Sequence, residues 1–595
     1  MRFCPECHGR LRVRNRGSLL CVKCGYIEPL TKAEKPRSGM ASFFPYASMR
    51  PFQKETLEQI EKGLASSKFV ILEAPVGFGK SAVAASICRY LGSAHILTSS
   101  KQLQDQYASD FKFPIVKGKS NFRCYIPSSS GVFLPCSKGR CKADWSLMDC
   151  PHYITLEEYQ THKKRLCAKS SRCERLKGGK LCRYYEQKWI GFSAPITIYN
   201  YPFVFSELKY AKDVPHRRLL VCDEVHDLEK QIVGFASFTL RRTALQTYHE
   251  EVKPGKNLVI PDKGVDEPSA WLEVLSNAED TLKEFSTLYK SDIQQERVIA
   301  CEAMLEDMES FMKSLKSDPS NWVVNSVKRI GDGSVEEVVF QPISISGYTL
   351  PLFNIGDKVL LMSATVSSKE RLCGVLGINM DDAAFIRISE SSFPVENRPI
   401  HALNIAKLNR ESMDAALPDI ARTVDDIMNQ HSAERGVIHT TSYMQSNYIM
   451  QHISEPNRRR LVTTEGSFDR STLVQIHSEN DASVLISPSL YQGVDLKDDL
   501  SRFQIIVKVP YPDLSHRRIA VKLQRDREWY YWQTALRLVQ TYGRSVRSEH
   551  DHAVTYVLDS NFTSFVNMHS SLFPKFFLDA LKNEIPVPPQ DQKKL

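Results

Sequence analysis

Hydrophobic positions along this chain fall into two kinds of pattern. Short unbroken apolar runs, Phe69-Val70-Ile71-Leu72 and Leu219-Leu220-Val221-Cys222, read as strands buried on both faces, as in a parallel sheet. Elsewhere the apolar residues recur at helical spacing. Ala82–Ile87 follows the first run as a helix, and Ile154–Leu166 reads as another. Trp271, Leu272, Leu275, Leu282, Phe285 and Tyr289 form one helical stripe, and Met304, Leu305, Met308, Phe311, Met312 and Leu315 a second. The plain reading of both stripes is helix-packing core rather than a cofactor site. Val507-Lys508-Val509-Pro510-Tyr511-Pro512 predicts a strand running into a turn.

Composition narrows the picture only in part. A chain of 595 residues has room for about three to five folding units. Hydrophobic residues make up 42% and the mean hydropathy is −0.31, with no apolar run of the roughly 18 residues a membrane helix needs. The N-terminus enters cysteine pairs without an apolar leader, so no secretory signal is expected. The net charge of +9 suits a polyanion in a groove, but an ordinary basic protein fits it as well.

Cysteine placement says more. Of 15 cysteines, four fall between residues 4 and 24 and seven between 124 and 182. Cys88, Cys222, Cys301 and Cys373 are scattered and read as small buried apolar residues. Two dense groups without a secretion signal predict metal sites rather than disulfides. Cys4-Pro5-Glu6-Cys7 and Cys21-Val22-Lys23-Cys24 are two knuckles that can aim four thiolates at one tetrahedral Zn²⁺. A short hairpin between them would complete a ribbon folded by its metal. Residues 31–48 read as a linker.

The first strand runs directly into Glu73-Ala74-Pro75-Val76-Gly77-Phe78-Gly79-Lys80-Ser81 and then the helix. Strand, glycine loop, Lys-Ser and helix are the context that makes a P-loop. Gly77 and Gly79 let backbone N–H groups wrap phosphates, Lys80 reaches the β and γ phosphates, and Ser81 ligates Mg²⁺. The second strand ends in Asp223-Glu224-Val225-His226. Asp223 is expected to hold Mg²⁺, and Glu224 to orient and deprotonate the attacking water. Two acids at a buried strand end are costly without a cation. Gln53, in Arg50-Pro51-Phe52-Gln53, has the paired amide donor and acceptor that could read an adenine edge.

These boxes, with four further runs in order, resemble superfamily-2 helicases. Leu360-Leu361-Met362-Ser363-Ala364-Thr365 is similar to the motif that couples ATP to nucleic acid. Gly436-Val437-Ile438-His439-Thr440-Thr441-Ser442-Tyr443 looks like the opening of a second motor domain. Tyr491-Gln492-Gly493-Val494-Asp495-Leu496 resembles motif V, bringing Gly493 and Asp495 to the nucleotide cleft. Gln540-Thr541-Tyr542-Gly543-Arg544-Ser545-Val546-Arg547 resembles motif VI, which implies that Arg544 and Arg547 cross the cleft to the phosphates beside Gln540. Departures are small: Val76, Phe78 and Ser81 stand where the family favours Thr, Val225 where it favours Ala, and Gln492 where Glu is frequent.

The cysteine-rich stretch between Gln104-Asp105-Gln106-Tyr107 and the Asp-Glu box makes the resemblance narrower, to the XPD/DinG branch, whose insert holds a 4Fe–4S cluster on four thiolates. Cys124 and Cys182 match the outer ligands by their flanks, and Cys136 and Cys141 are the favoured middle pair. Cys167 and Cys173 are the rival pair, and Cys150 mimics a fourth ligand. Lysines and arginines between Lys138 and Arg183, with Phe122, Tyr125, Trp145 and Tyr153, would form a track for single strands or merely a solvated cationic face.

The resemblance implies an α/β chain with two RecA-like motor domains. The layout expected is a zinc ribbon over 1–30, a linker over 31–48, and a first motor domain over 49–118, 191–227 and 346–372. An iron–sulfur insert spans 119–190, a helical arch-like insert 228–345, and the second motor domain 373–595. It further implies an ATP- and Mg²⁺-dependent DNA helicase travelling 5′-to-3′ on single-stranded or forked DNA, as a monomeric motor. DNA repair, replication or transcription-linked processing would be its setting, in the nucleoid or nucleus. A translocase that strips proteins or R-loops, with a partner on the ribbon, and an ATP switch without sustained turnover are the alternatives.

Overall fold

The computed structural model describes residues 39–582 except 128–130, 139–149, 164–179, 212, 255–264, 290–294, 332, 392, 410, 464–469, 489–495, 497 and 547–550, and, before residue 39, the strands 11–15, 18–21 and 27–29. Two seven-stranded sheets, parallel throughout, form its framework. In the first, the strand order is Ala383–Arg387, Phe69–Glu73, Gly356–Ser363, Arg217–Cys222, Ala94–Thr98, Ile196–Asn200 and Ile115–Val116. In the second it is Leu461–Thr463, Val484–Ser487, Gly436–His439, Phe503–Ile506, Val554–Asp559, Ile400–Ala406 and Leu581–Lys582. The apolar runs read from the sequence are the central strands. Phe69–Glu73 is buried at every position because helices cover both faces of the sheet. Cys88, Cys222, Cys301 and Cys373 are buried, as expected.

The ATP-facing groups sit beyond the carboxyl ends of these strands, where open α/β sheets bind ligands. The P-loop strand Phe69–Glu73 and the Ser-Ala-Thr strand Gly356–Ser363 pair in register, and the Asp-Glu strand Arg217–Cys222 lies on the other side of the latter. Three sequence motifs more than 100 residues apart thereby end side by side.

Three expected boundaries change. Ala383–Arg387 is an edge strand of the first sheet, paired with Phe69–Glu73, although it lies beyond residue 372, where the first motor domain was expected to end. The stretch read as linker docks from Met40 onward: Met40 is buried, and its carbonyl accepts from Ser86 Oγ at 2.6 Å. The insert expected to be helical also carries an antiparallel sheet, Trp322–Arg329, Val335–Pro342 and Phe238–Arg241 in that order. Its helices Leu272–Tyr289 and Gln295–Ser317 bury the two predicted stripes against that sheet around Trp271, Phe311 and Phe340. In the N-terminal segment, Leu11–Asn15, Ser18–Cys21 and Ile27–Pro29 form a small antiparallel sheet. Cys4, Cys7 and Cys24, and the side chain of Cys21, lie outside the described residues.

Candidate nucleotide site and cysteine insert

The P-loop follows from backbone demands. Gly77 (φ 80°) and Gly79 (φ 85°) adopt left-handed conformations that side chains disfavour. A Cβ on Gly79 would stand 2.6 Å from Gln53 Nε2, and one on Gly77 would run into the ring of Phe393. Gly79 opens the helix Lys80–Leu91, whose first turn carries no side-chain cap, so its N–H groups face the cleft as anion donors. Lys80 Nζ donates to the carbonyls of Ala74 (3.0 Å) and Pro75 (3.4 Å).

Gln53 has a different task from the one expected. Its Oε1 accepts from Arg50 N (2.8 Å) and its Nε2 donates to Phe78 O (2.6 Å), and the residue is buried. The geometry spends both ends of the amide on bracing the P-loop rather than on an adenine edge. Arg50 joins the brace through a hydrogen bond to Gly77 O.

Asp223 is 3% exposed. Glu224 N donates to its Oδ1 at 2.9 Å and Tyr107 Oη to its Oδ2 at 2.8 Å. Burial, then the charge of Glu224, push the Asp223 carboxyl above the usual range. Glu224 goes the other way: burial opposes ionisation, but the hydrogen bond and charge of His226, with Lys80 and Arg544, outweigh it and pull its carboxyl down. The two adjacent acids are thus driven in opposite directions by the charges around them.

His226 joins this box to the rest of the motor. Its Nδ1 lies 2.9 Å from Ser363 Oγ, 3.3 Å from Glu224 Oε2 and 3.5 Å from Gln540 Nε2. Gln540 Nε2 also donates to Thr365 Oγ1 at 2.5 Å. Groups from both sheets therefore meet at one junction. Glu73, at the end of the P-loop strand, accepts from Val366 N and Ser367 N, both at 2.8 Å, and pairs with Arg387 at 2.5 Å. Trp532, on the second-lobe helix Arg527–Tyr542, donates to Val366 O at 2.8 Å.

Lys80, Ser81, Asp223, Glu224, Gln540 and Arg544 line one cleft of about 930 Å³ between the lobes. Arg544 therefore shares a cleft with the P-loop residues Lys80 and Ser81. Arg547, Gly493 and Asp495 lie outside the described residues. Sequence reasoning missed Tyr107, Phe393 and Trp532, and passed over Glu73 as part of the P-loop run. Their partners are distant in the chain and no local pattern marks them.

Of the insert cysteines, Cys141, Cys167 and Cys173 lie outside the described residues. Cys136 and Cys182 are in contact: the hydrogen bond from Cys136 pulls the Cys182 thiol down to about 6 against the effect of burial, helped by backbone N–H groups of Tyr185 and Tyr184. Cys182 precedes the helix Arg183–Ser193, where a thiolate is favoured. Cys124 N bonds Leu134 O and Cys136 N bonds Phe122 O, which ties those two cysteines into one hairpin. Cys182 N bonds His152 O, which draws the Cys150 segment to the same place. Among the described residues no three His, Cys, Asp or Glu side chains converge tightly enough for a single ion. Most of the basic residues expected to form a track, with Trp145, lie outside the described residues.

Known proteins give the same architecture. A family profile described as "Helicase C-terminal domain" matches residues 426–577, and one described as "Type III restriction enzyme, res subunit" matches 46–252. A protein of Methanocaldococcus jannaschii described as "Probable ATP-dependent helicase" is 21% identical over 640 residues, covering 88% of this chain and 93% of its own. A solved XPD helicase superposes with a TM-score of 0.60 at 18% identity, covering 89% of this chain and 99% of that one. XPD in its apo form gives 0.54 at 17%, covering 87% and 98%. No described helix is long and apolar enough to cross a membrane. With two parallel-sheet lobes, a P-loop facing an Asp-Glu box and an arginine from the opposite lobe in one cleft, the chain is an ATP-dependent helicase with the fold of the XPD structures.

Proposed function

We propose that this helicase travels on single-stranded DNA, 5′-to-3′, and unwinds forked duplex. The observation that carries the motor reading is the shared cleft: Lys80, Ser81, Asp223 and Glu224 belong to one lobe, Gln540 and Arg544 to the other. Lys80 and the N–H groups after Gly79 bind the triphosphate, with Mg²⁺ on Ser81 and Asp223 neutralising phosphate charge. Glu224, held ionised by His226, accepts a proton from the attacking water. That water bonds to the γ-phosphorus as the bond to the β-phosphate oxygen breaks, giving ADP and phosphate. Arg544 stabilises charge on the transferred group only when the lobes are close, so hydrolysis is tied to closure. His226, Ser363, Thr365 and Gln540 carry the change from the cleft to the second lobe.

In the insert, Cys124, Cys136 and Cys182 are proposed as ligands of a 4Fe–4S cluster. Either Cys141, as the sequence suggests, or Cys150, which the backbone draws near Cys182, would be the fourth. The cluster would staple the insert as a rigid strand guide and need not change redox state. Cys4, Cys7, Cys21 and Cys24 are proposed as a zinc site in the ribbon, which offers a surface for DNA or a protein partner.

The experiment is anaerobic purification with iron, sulfide and zinc analysis, then unwinding of 5′- and 3′-tailed duplexes beside DNA-stimulated hydrolysis. The reading expects hydrolysis stimulated by single strands, and separation of the 5′-tailed substrate alone. Hydrolysis that displaces bound proteins but never separates strands would transfer the function to a stripping translocase.

A further inference from the structure

Tyr107 lies in the Gln104-Asp105-Gln106-Tyr107 run, on the helix Lys101–Phe111, outside every nucleotide motif. An aromatic residue there would ordinarily be core. Its ring does pack: Tyr107 is fully buried, and its edge meets Phe111 at 5.7 Å. The hydroxyl, however, is not turned toward solvent or toward a backbone carbonyl. It donates to Asp223 Oδ2 at 2.8 Å, and the Ser81 hydroxyl lies close enough to interact with the same phenolic oxygen. The P-loop serine and the Asp-Glu box aspartate, 142 positions apart in the chain, thus meet on one phenol.

The direction of the protons matters. A serine that ligates a cation through an oxygen lone pair must send its own proton to some acceptor. Tyr107 Oη, with its proton already given to Asp223, has a lone pair free to take it. Asp223 in turn has both oxygens fixed, one by Tyr107 and the other by Glu224 N. Tyr201, donating to Asp223 O at 2.9 Å, fixes the backbone beneath.

We propose that Tyr107 is a positioning residue for the catalytic Mg²⁺: its hydroxyl takes the Ser81 proton and orients the Asp223 carboxylate, presetting both ligands before the metal arrives. This deepens the ATPase reading above and rests on it. A hydrogen bond between a neutral donor and a carboxylate falls among the stronger kinds, and losing it releases two ligands at once. The effect belongs on metal affinity rather than on the chemical step.

The test is Tyr107→Phe, which keeps the ring and removes one oxygen. Hydrolysis at saturating ATP is followed while free Mg²⁺ is titrated. The expected result is about a tenfold rise in half-saturating Mg²⁺, with the rate at saturating Mg²⁺ within about threefold of wild type. Ser81→Ala and the double variant Ser81→Ala/Tyr107→Phe complete a cycle. Because Tyr107 acts partly through Ser81, the double variant should need little more Mg²⁺ than Ser81→Ala alone. A purely structural tyrosine would lower thermal stability without moving the Mg²⁺ midpoint. Tyr107→Leu is the second variant should the first not fold. An unchanged or lower Mg²⁺ midpoint in a folded variant overturns the assignment and leaves the ATPase reading standing. A wild-type chain without Mg²⁺-dependent hydrolysis overturns both.

Discussion

Replacing Glu229 by glutamine should loosen the two lobes from each other. Glu229 stands on the first-lobe helix Leu228–Ala236, directly after the Asp-Glu box, and is 7% exposed. Its Oε1 accepts from Arg518 Nη2 and Lys522 Nζ, both at 2.6 Å, and its Oε2 from Trp529 Nε1 at 3.1 Å. All three donors belong to the second lobe, and Arg518 continues to the carbonyls of Pro342 (2.7 Å) and Ile343 (3.1 Å) at the end of the insert sheet. Burial alone would raise this carboxyl, but Lys522 and Arg518 outweigh it and hold it at about 2 against an ordinary 4.5. That difference corresponds to a few kcal/mol, about 3, in favour of the ionised, docked form at neutral pH. Removing one member of a buried ion group costs a comparable amount, roughly 3–5 kcal/mol.

Because the folded carboxyl is depressed, this contribution is full above about pH 4.5 to 5 and is lost as the pH falls toward 2. Most of it remains at about pH 4 and less than half at about pH 3. The assay compares melting temperature and denaturant midpoint for wild type, Glu229→Gln, Lys522→Met and the double variant between pH 4 and 7. The expected outcome is a gap between wild type and Glu229→Gln that narrows toward pH 4, with a coupling energy above about 1.5 kcal/mol. A gap below about 0.5 kcal/mol at neutral pH, or full additivity of the two changes, would refute the reasoning.

Further outcomes are expected elsewhere. Glu224→Gln removes the proton acceptor, so single-turnover hydrolysis should fall by about 10²–10⁴-fold while a fluorescent ATP analogue still binds; a smaller loss would move the base elsewhere. Trp532→Phe removes one of the two donors to Val366 O and leaves the bond from Ser368 N, which should cost about 0.5–1.5 kcal/mol of stability and raise the ATP consumed per base pair opened. Equal ATP cost per base pair would show that this contact is packing alone. Cys182→Ser should abolish iron retention on anaerobic purification, whereas Cys88→Ser, buried behind the P-loop, should keep it; equal iron in both would remove Cys182 from the ligand set.

The parts of the site legible in the sequence were those whose chemistry needs neighbouring residues. Gly77, Gly79, Lys80 and Ser81 must be consecutive to wrap a phosphate, and Asp223 and Glu224 must share a strand end. Gln53 was found by the same logic, but which atoms its amide would meet depends on Phe78 and Arg50, and only the folded loop decides that. Tyr107, Glu73 and Glu229 meet partners between 116 and about 300 positions away, so nothing near them could announce their roles. The strands Trp322–Arg329 and Val335–Pro342 were hidden by the strong helical stripes before them. Val335–Pro342 buries residues on an imperfect alternation, a weak signal beside two regular helices. The edge strand Ala383–Arg387 is short, and its sequence alone does not say which sheet it joins.

Phe393 gives the connection between the lobes an unusual mechanical character. Its ring is lodged over Gly77, while its carbonyl accepts from Arg398 Nε at 3.1 Å, and Arg398 is itself bound to Tyr542 Oη at 3.1 Å. One residue is therefore clamped by its side chain to the ATP loop and by its backbone to the opposite body. The connection between the lobes is thus held at a packed point instead of running as a slack tether, and removing the Phe393 ring would free the ATP loop from the far body.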